Sequence, residues 1–272
     1  MNGTHVGAMF LTAWLAMGAC VQGDDNPAAG KDLPVAMRIG GVGGVYFLAE
    51  PGELVVDVEK CDRNRHAMTT QLRAILAGPD RRVLQEAVIP GDGLPPGKMG
   101  PPQRVRLSTR VERKGVFVLN ITVSQDRYGD EMVWGIRTNC PHYVIETSRG
   151  HRDERHQEPI VLADPSRPGN VCFLPHADKI DMEVSGLPRS VHTLTMYDGR
   201  DAIVETLPVG TDGRVAHTFP ARTHRDAVPW RLSLPVQQAT VQIDGLTRWD
   251  RRDACLDMSY WTPEAKAFFP FQ

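Results

Sequence analysis

The sequence predicts an all-β protein made of two tandem antiparallel β-sandwich domains, of the jelly-roll or immunoglobulin-like kind, with a short C-terminal helical tail. Apolar side chains alternate with polar ones over short segments, which is the pattern of half-buried strands. The 25 glycines and 21 prolines are spread along the chain, as expected where many turns separate short strands. No segment shows a helical spacing of apolar residues long enough for a crossover helix between parallel strands. This favours antiparallel β-sandwiches.

An internal repeat is the third observation behind this prediction. Residues 180–184 alternate strictly between apolar and acidic side chains. They match the segment 54–58, which follows the preceding block at the same distance along the chain. Four such blocks in the same order indicate one structural unit encoded twice. The blocks 45–48, 54–58, 83–86 and 117–123 of the first copy match 171–174, 180–184, 202–205 and 230–236 of the second.

The N-terminal residues predict export from the cytoplasm to the periplasm, the cell envelope or the medium. Residues 6–20 are apolar or small almost throughout, which is too short for a bilayer span but suits a signal peptide over residues 1–20. The sequence Met17-Gly18-Ala19-Cys20 resembles a bacterial lipobox, so Cys20 is a candidate for lipidation. Ordinary cleavage near residues 19–23 is the alternative, and residues 21–37 then form a flexible lead-in.

The remaining cysteines predict disulfide bonds. An even number of widely spaced cysteines in an exported protein favours two such bonds, and three pairings are open. The simplest pairing keeps each bond inside one copy, while four buried thiols are the alternative. That pairing joins Cys61 to Cys140 and Cys172 to Cys255.

The domain boundaries follow from the repeat. We place the first sandwich at 38–148, a charged linker at 149–168 and the second sandwich at 169–247. Residues 248–272 form an aromatic-rich tail, in which Thr262-Pro263-Glu264 has the composition of a helix start.

The repeated blocks resemble the bacterial pre-peptidase C-terminal type of β-sandwich module. Residues 115–123 (Gly-Val-Phe-Val-Leu-Asn-Ile-Thr-Val) approximate its last strand, and residues 230–234 (Trp-Arg-Leu-Ser-Leu) are a variant of it. The resemblance covers about 38–148 and 169–247, and it implies an accessory role beside a secreted hydrolase. The acidic Asp-x-Asp-Leu segment of that family is replaced by residues 60–65 (Lys-Cys-Asp-Arg-Asn-Arg), so the family's calcium site is not carried over.

Composition and motifs give little support for an enzyme or a nucleic-acid-binding protein. The formal net charge of −2 implies no strong field that would attract nucleic acid or an anionic membrane surface. The sequence has no nucleophile elbow, no His-Glu-x-x-His helix and no Walker loop. We therefore predict no cofactor, with calcium or zinc as the alternative.

Two groups of residues are candidates for a site. Imidazoles and carboxylates near the linker could bind zinc, although a polar linker with solvated histidines is the preferred interpretation. Aromatic residues of the tail could stack on a sugar or anchor a partner, or they could instead pack on the sandwiches. The metal candidates are His142, His151, Glu154 and His156, and the stacking candidates are Trp249, Tyr260, Trp261 and Phe271.

These observations predict an exported, non-catalytic β-sandwich protein that acts as an accessory, binding or adhesion module for a protein or carbohydrate ligand. Two alternatives stay open. One is an envelope lipoprotein with a structural role, which would meet the membrane only through a lipid on Cys20. The other is a metal-dependent hydrolase with its site at the inter-domain linker.

Overall fold

The chain folds into antiparallel β-sheets. The structure, a computed structural model, describes residues 33–34, 39–126, 130–147, 160–164, 168–222, 228–244 and 259–264. Within these ranges there are 18 strands and no helix, so the prediction of an all-β antiparallel fold is confirmed there. Among these residues there is also no helix of the length and apolar character needed to cross a membrane.

The strands fall into two sets of nine. The first set is β1 (Leu33–Pro34), β2 (Gly43–Ala49), β3 (Gly52–Asp62), β4 (Gln71–Ala77), β5 (Val83–Ile89), β6 (Gln103–Val111), β7 (Gly115–Ser124), β8 (Met132–Thr138) and β9 (Tyr143–Glu146). The second set is β10 (Ile160–Asp164), β11 (Gly169–Phe173), β12 (Ile180–Ser185), β13 (Thr193–Tyr197), β14 (Ile203–Pro208), β15 (Val215–Phe219), β16 (Trp230–Leu234), β17 (Gln237–Ile243) and β18 (Ser259–Thr262).

The strand order of the first set is repeated in the second. One four-stranded sheet has the order β1-β8-β3-β6, and the other has β10-β17-β12-β15, which is the same order with nine added to each number. The ten-stranded sheet reads β14-β13-β16-β11-β18-β9-β2-β7-β4-β5, so its two halves are also related by adding nine. All eighteen strands therefore obey one topological rule.

The repeat found in the sequence coincides with this rule. Its four blocks lie on β2 and β11, β3 and β12, β5 and β14, and β7 and β16. The pairing register agrees as well, because Val45 lies opposite Leu119 in the first set and Val171 lies opposite Leu232 in the second. Residues that the first and last blocks align thus make equivalent cross-strand pairs. The block on β5 and β14 is one residue out of register, because the pairing makes Gln85 rather than Glu86 equivalent to Glu205.

Strands β9 and β18 join the two sets at the centre of the ten-stranded sheet. Trp261 of β18 lies opposite Ile145 of β9. Ile145 also pairs with Val45, and Trp261 also pairs with Val171, so the two residues hold equivalent positions in the two sets. The junction is therefore an antiparallel pair of equivalent strands related by an approximate two-fold axis.

Strands β10 and β18 lie in segments that the sequence patterns placed outside the sandwiches. The segment 149–168, predicted as a linker, contains β10, and the tail 248–272 contains β18. Both strands are short, so their alternation is hard to distinguish from that of a loop. Thr262, the predicted helix cap, is the last residue of β18, and residues 265–272 of the predicted helix lie outside the described residues.

The core lies between the ten-stranded sheet and the two four-stranded sheets. Alternate residues of each central strand point into it, as in Leu232 and Leu234 of β16, which are fully buried. Large aromatic side chains fill much of the volume, and Phe219 meets Trp230 edge to face with ring centroids 5.4 Å apart. The described residues thus show sandwich-like packing of sheet on sheet.

One end of the first set is closed by a buried polar network. Lys60 and Asp62 are inaccessible to solvent and form an ion pair of 2.7 Å between Nζ and Oδ2. Lys60 Nζ also donates to the carbonyl oxygen of Pro90 at 2.8 Å, while Asp62 accepts from the Asp92 amide at 3.0 Å and from the Thr70 hydroxyl. The cost of burying these charges is offset because both groups have hydrogen-bond partners.

The same end of the second set is closed by backbone and an apolar side chain. In the first set Lys60 lies opposite Gln103. In the second set the pairing of Val184 with Val215, continued by two residues, places Gly186 opposite Gly213, so these glycines are equivalent to Lys60 and Gln103. Both glycines have positive φ, 78° and 73°, so the chain turns sharply there. Leu187, only 6% exposed, covers the core, and its amide donates to the Gly213 carbonyl oxygen at 3.1 Å.

Candidate functional site

A group of aromatic, apolar and acidic side chains covers the β9–β18 junction on the face opposite the core. We call it the junction cluster, and it consists of Tyr46, Val144, Glu146, Cys172 and Tyr260. Cross-strand pairing brings its members together, since Tyr46 lies opposite Val144, and Tyr260 lies opposite both Cys172 and Glu146. Apart from Tyr46 and Glu146, which are half-buried, these residues are no more than 5% exposed.

Glu146 carries the only carboxylate of the junction cluster. Its Oε2 lies 3.0 Å from the point where a Cβ on Gly44 would stand, and the Tyr46 ring approaches the same point at 3.7 Å. The carboxylate and the ring therefore meet above a residue that has no side chain. Within the described part of the chain, no hydrogen bond or ion pair reaches the carboxylate, and its burial raises the pKa of Glu146.

Cys172 and Tyr260 are protonated groups at neutral pH. Burial raises the pKa of the Cys172 thiol to about 12, against the smaller opposing effects of Arg231 and Tyr260. The pKa of Tyr260 is raised as well, first by burial and then by Cys172. A thiol that keeps its proton is a poor nucleophile, so Cys172 contributes packing rather than covalent chemistry.

The other half of the junction is filled by hydrogen-bonded side chains. Asn170 occupies the position equivalent to Gly44, and Thr262 occupies the position equivalent to Glu146. Asn170 accepts from Arg231 at 3.2 Å and donates to the carbonyl oxygen of Glu264 at 2.9 Å. Thr262 donates to a backbone carbonyl at 3.0 Å. The two halves of the junction therefore differ in how completely their polar groups are satisfied.

His142, the one metal candidate among the described residues, forms a contact between the two sets. Its Nδ1 lies 2.7 Å from Glu264 Oε1, just beyond β18. The other three candidates, His151, Glu154 and His156, lie outside the described residues. Within the ranges that the structure describes, no group of three or more potential metal ligands occurs.

A second histidine–carboxylate pair lies between β3 and β8. Glu131 is inaccessible to solvent, and its carboxylate contacts the Nδ1 of His66 and accepts the His66 amide at 3.0 Å. Burial alone would raise the pKa of Glu131, but the hydrogen bonds from His66 outweigh it and lower that pKa. Asp126 accepts hydrogen bonds from the backbone amides of Gly41 and Glu131, each within 3.0 Å. Together with the contact between His66 and Glu131, these bonds hold the segments around Gly41, His66 and Glu131 to one another.

The predicted disulfide between Cys61 and Cys140 is not formed. Cys61 lies opposite Val133, and Cys140 follows seven residues later along β8 and its extension, about 20 Å away at the usual rise per strand residue. A disulfide requires Cα atoms about 4.4–6.8 Å apart. Cys172 carries no disulfide either, and Cys255, its predicted partner, lies outside the described residues.

The aromatic candidates that the structure describes are buried. Trp261 is 1% exposed and faces the core with its ring centroid 5.9 Å from that of Tyr143, while Tyr260 is 5% exposed in the junction cluster. Neither ring is exposed for stacking on a sugar, because β18 is a central strand rather than part of a tail. Trp249 and Phe271 lie outside the described residues.

Several carboxylates, which could supply oxygen ligands to calcium, are held by protein groups. Asp130 pairs with Arg65 at 2.8 Å, and Asp201 pairs with Arg231 at 3.1 Å. Asp198 accepts two backbone amides of its own turn, at 2.8 and 2.9 Å. These carboxylates act as turn and sheet contacts in this structure.

Sequence reasoning missed Glu146, Gly44 and Tyr46 as parts of a site. The first is one acidic residue among many, and its position depends on pairing between strands that are distant in the sequence. The repeat could have found it: aligning β9 with β18 places Glu146 against Thr262, and aligning β2 with β11 places Gly44 against Asn170.

Comparison with known proteins gives no family for this chain. No family model and no curated protein matches the sequence. Dimeric latent PorU from Porphyromonas gingivalis matches 78% of this chain at 12% identity with a TM-score of 0.25. Tripeptidyl peptidase 2 matches 90% of it at 9% identity with a TM-score of 0.23. The matched regions are 20% and 27% of those chains, and TM-scores this low do not establish a shared fold.

Proposed function

We propose that this chain is an exported, non-catalytic accessory or binding module composed of two tandem β-sandwich units. The observation that carries the proposal is the repeated strand order, with equivalent registers in the two sets and one sheet continuing through β9 and β18. Such a junction fixes two similar units relative to each other. A rigid double unit is suited to presenting a surface to a ligand or to a partner protein.

The environments of the candidate reactive groups also favour binding over catalysis. His142 is engaged by Glu264, and Glu131 is engaged by His66. Cys172 stays protonated at neutral pH because its burial raises the pKa of the thiol. The nearly balanced charge favours a protein or carbohydrate ligand over nucleic acid.

The binding role can be tested with the purified full-length chain on peptide and glycan arrays, together with a broad hydrolase substrate screen. We expect saturable binding to a defined peptide or glycan class and no turnover above a buffer control. Turnover that copurifies with the chain and is lost in a His142→Ala or His66→Ala variant would contradict the proposal. Metal analysis of the same sample tests the zinc and calcium alternatives.

Export and lipidation are tested separately by fractionating cells that produce the wild-type chain or a Cys20→Ser variant. We expect the mature chain outside the cytoplasm, with a mass that shows removal of about 20 residues, the usual length of a signal peptide. Membrane association that disappears in the Cys20→Ser variant would support the lipoprotein alternative. A full-length chain that stays in the cytoplasm would contradict export.

A further inference from the structure

We infer that the Glu146 side of the junction cluster binds a primary alkylammonium group, such as the side chain of a lysine in a peptide or protein partner. The inference rests on the proposed binding function and names the chemistry of the group that this site would take. It is carried by the geometry around Glu146, by the lack of a charge partner there and by the contrast with the equivalent place in the second set.

The first step is that Glu146 has no compensating group. Its carboxylate is half-buried, and among the residues that the structure describes no hydrogen bond or ion pair reaches it. Arg231, the cation in the same cross-strand row, is separated from it by Cys172 and Tyr260. Three strand spacings amount to about 14 Å, too far for an ion pair. Burying a carboxylate without a partner is costly, and such groups are concentrated at functional sites.

The second step is that the fold does not require a carboxylate at this position. Thr262 holds the equivalent place in the second set, where its hydroxyl donates to a backbone carbonyl. Asn170 holds the place equivalent to Gly44 and fills it with two hydrogen bonds. The same junction is therefore complete without any external group on one side, while on the other side an unsatisfied acceptor stands over a glycine.

The third step is that the neighbours of Glu146 suit a cation. The Tyr46 ring and the Glu146 carboxylate both lie within 4 Å of one point above Gly44. Tyr260 flanks Glu146 from the adjacent strand, where directly paired residues have Cβ atoms about 5 Å apart. An aromatic face attracts a cation through its quadrupole, and a carboxylate accepts the N–H groups of an ammonium. A primary ammonium provides both the charge and the donors that this acceptor lacks.

The test is a titration of the full-length chain with n-butylammonium chloride, followed by backbone amide chemical shifts of β9, β18 and β2. Sodium chloride at equal ionic strength is the reference, and tetramethylammonium chloride has the charge without the N–H donors. We expect saturable shifts around Glu146 with butylammonium and weaker binding of tetramethylammonium. An N-acetyl-lysine amide arm distinguishes a lysine side chain from a small free amine.

The decisive comparison is Glu146→Gln against Glu86→Gln. Glu86 lies on the edge strand β5, where it is exposed and paired with Arg73, so it is a matched glutamate outside the site. Glu146→Gln should weaken butylammonium binding at least about tenfold, the usual effect of losing a charged hydrogen-bond partner, while Glu86→Gln leaves it unchanged. The amide spectra of both variants verify that the fold is retained.

The inference is overturned if butylammonium causes no saturable shifts in the wild-type chain, or if Glu146→Gln binds it equally well. The arrays and the titration together separate this inference from the proposed function. A chain that binds no array ligand but titrates with butylammonium contradicts the binding function alone. A chain that binds an array ligand but shows no saturable shifts with butylammonium contradicts the ammonium site alone.

Discussion

The two sets of strands close the same end of the fold with different chemistry. In the first set the end contains the buried Lys60–Asp62 pair and its hydrogen-bond partners. In the second set Gly186 and Gly213 occupy the positions of Lys60 and Gln103, and Leu187 covers the core. One topology is thus completed by satisfied charges in one place and by a tight turn with an apolar side chain in the other.

The shared topology therefore does not dictate which side chains close the ends of the fold. The connection from β5 to β6 spans residues 90–102, whereas that from β14 to β15 spans only residues 209–214. A long loop must be fixed by side chains, because its backbone groups cannot all pair with each other. A short hairpin satisfies its own backbone, so an apolar residue is enough.

Lys60→Met should have the largest effect on the stability of these two ends. The substitution leaves the Asp62 carboxylate buried without its cation, and we expect the free energy of unfolding to fall by about 3–5 kcal/mol. Denaturant unfolding measures the change. Lys114→Met, which removes an exposed pair with Glu50, is the control and should cost no more than about 1 kcal/mol. Equal effects of the two variants would show that the network does not stabilise this end.

Leu187→Ala is the corresponding change in the second set. Removing this buried side chain loses apolar contacts and leaves a cavity, and we expect a loss of about 2–5 kcal/mol. The same unfolding experiment measures it. A loss below about 0.5 kcal/mol, as at surface sites, would mean that Leu187 does not seal the core.

Gly213→Ala and Gln103→Ala change one pair of equivalent positions in the two sets. A Cβ on Gly213 would lie 2.4 Å from the Leu187 carbonyl oxygen, and its φ of 73° disfavours any side chain, so we expect a loss of about 1–3 kcal/mol. Gln103→Ala removes a buried oxygen that has no hydrogen-bond partner in the described structure, and should change stability by less than about 1 kcal/mol. Thermal unfolding of both variants in parallel gives the ranking, and a reversed order would contradict it.

The smallest expected effects concern two glutamates of the first set, the buried Glu131 and the half-buried Glu146, and they have opposite signs. The pKa of Glu131 is lowered in the fold, so its stabilisation is present above its unfolded pKa and is lost as the pH falls through the folded value. The pKa of Glu146 is raised, so the fold loses stability as the pH rises from the unfolded to the folded value. At neutral pH, Glu131→Gln should therefore lower the unfolding midpoint and Glu146→Gln should raise it.

Measuring the unfolding midpoints of both variants from acid to neutral pH tests these two opposite changes in stability. Both differences from the wild-type chain should shrink as the pH falls below the ordinary range of carboxyl groups. A Glu146→Gln variant that is less stable at neutral pH would show that this carboxylate has a structural partner.

Local sequence patterns were sufficient to predict the strands of the repeated blocks and the repeat itself. Residues 180–184 alternate so regularly that β12 is evident, and the blocks around Val45 and Val171 lie on equivalent strands. Alternation reports which side chains face the core, and that property belongs to the strand itself.

The junction and its site could not be predicted in the same way. The pairing of β9 with β18 joins residues more than 100 positions apart, and nothing in a four-residue strand specifies its partner. The structure does not show the predicted bond between Cys61 and Cys140, since cysteine counting contains no distances. Glu146 acquires its role only through the neighbours that this pairing brings to it.

The most direct test of the account is deuterium exchange of backbone amides at the β9–β18 junction in the full-length chain. The Thr147 amide donates to the Ser259 carbonyl oxygen at 2.9 Å, so it reports on whether the two sets are joined. If one sheet continues through both sets, this amide and those of β18 exchange as slowly as the central strands β2 and β11. Exchange as fast as at an exposed edge such as β5 would contradict the joined double unit on which the proposed function depends.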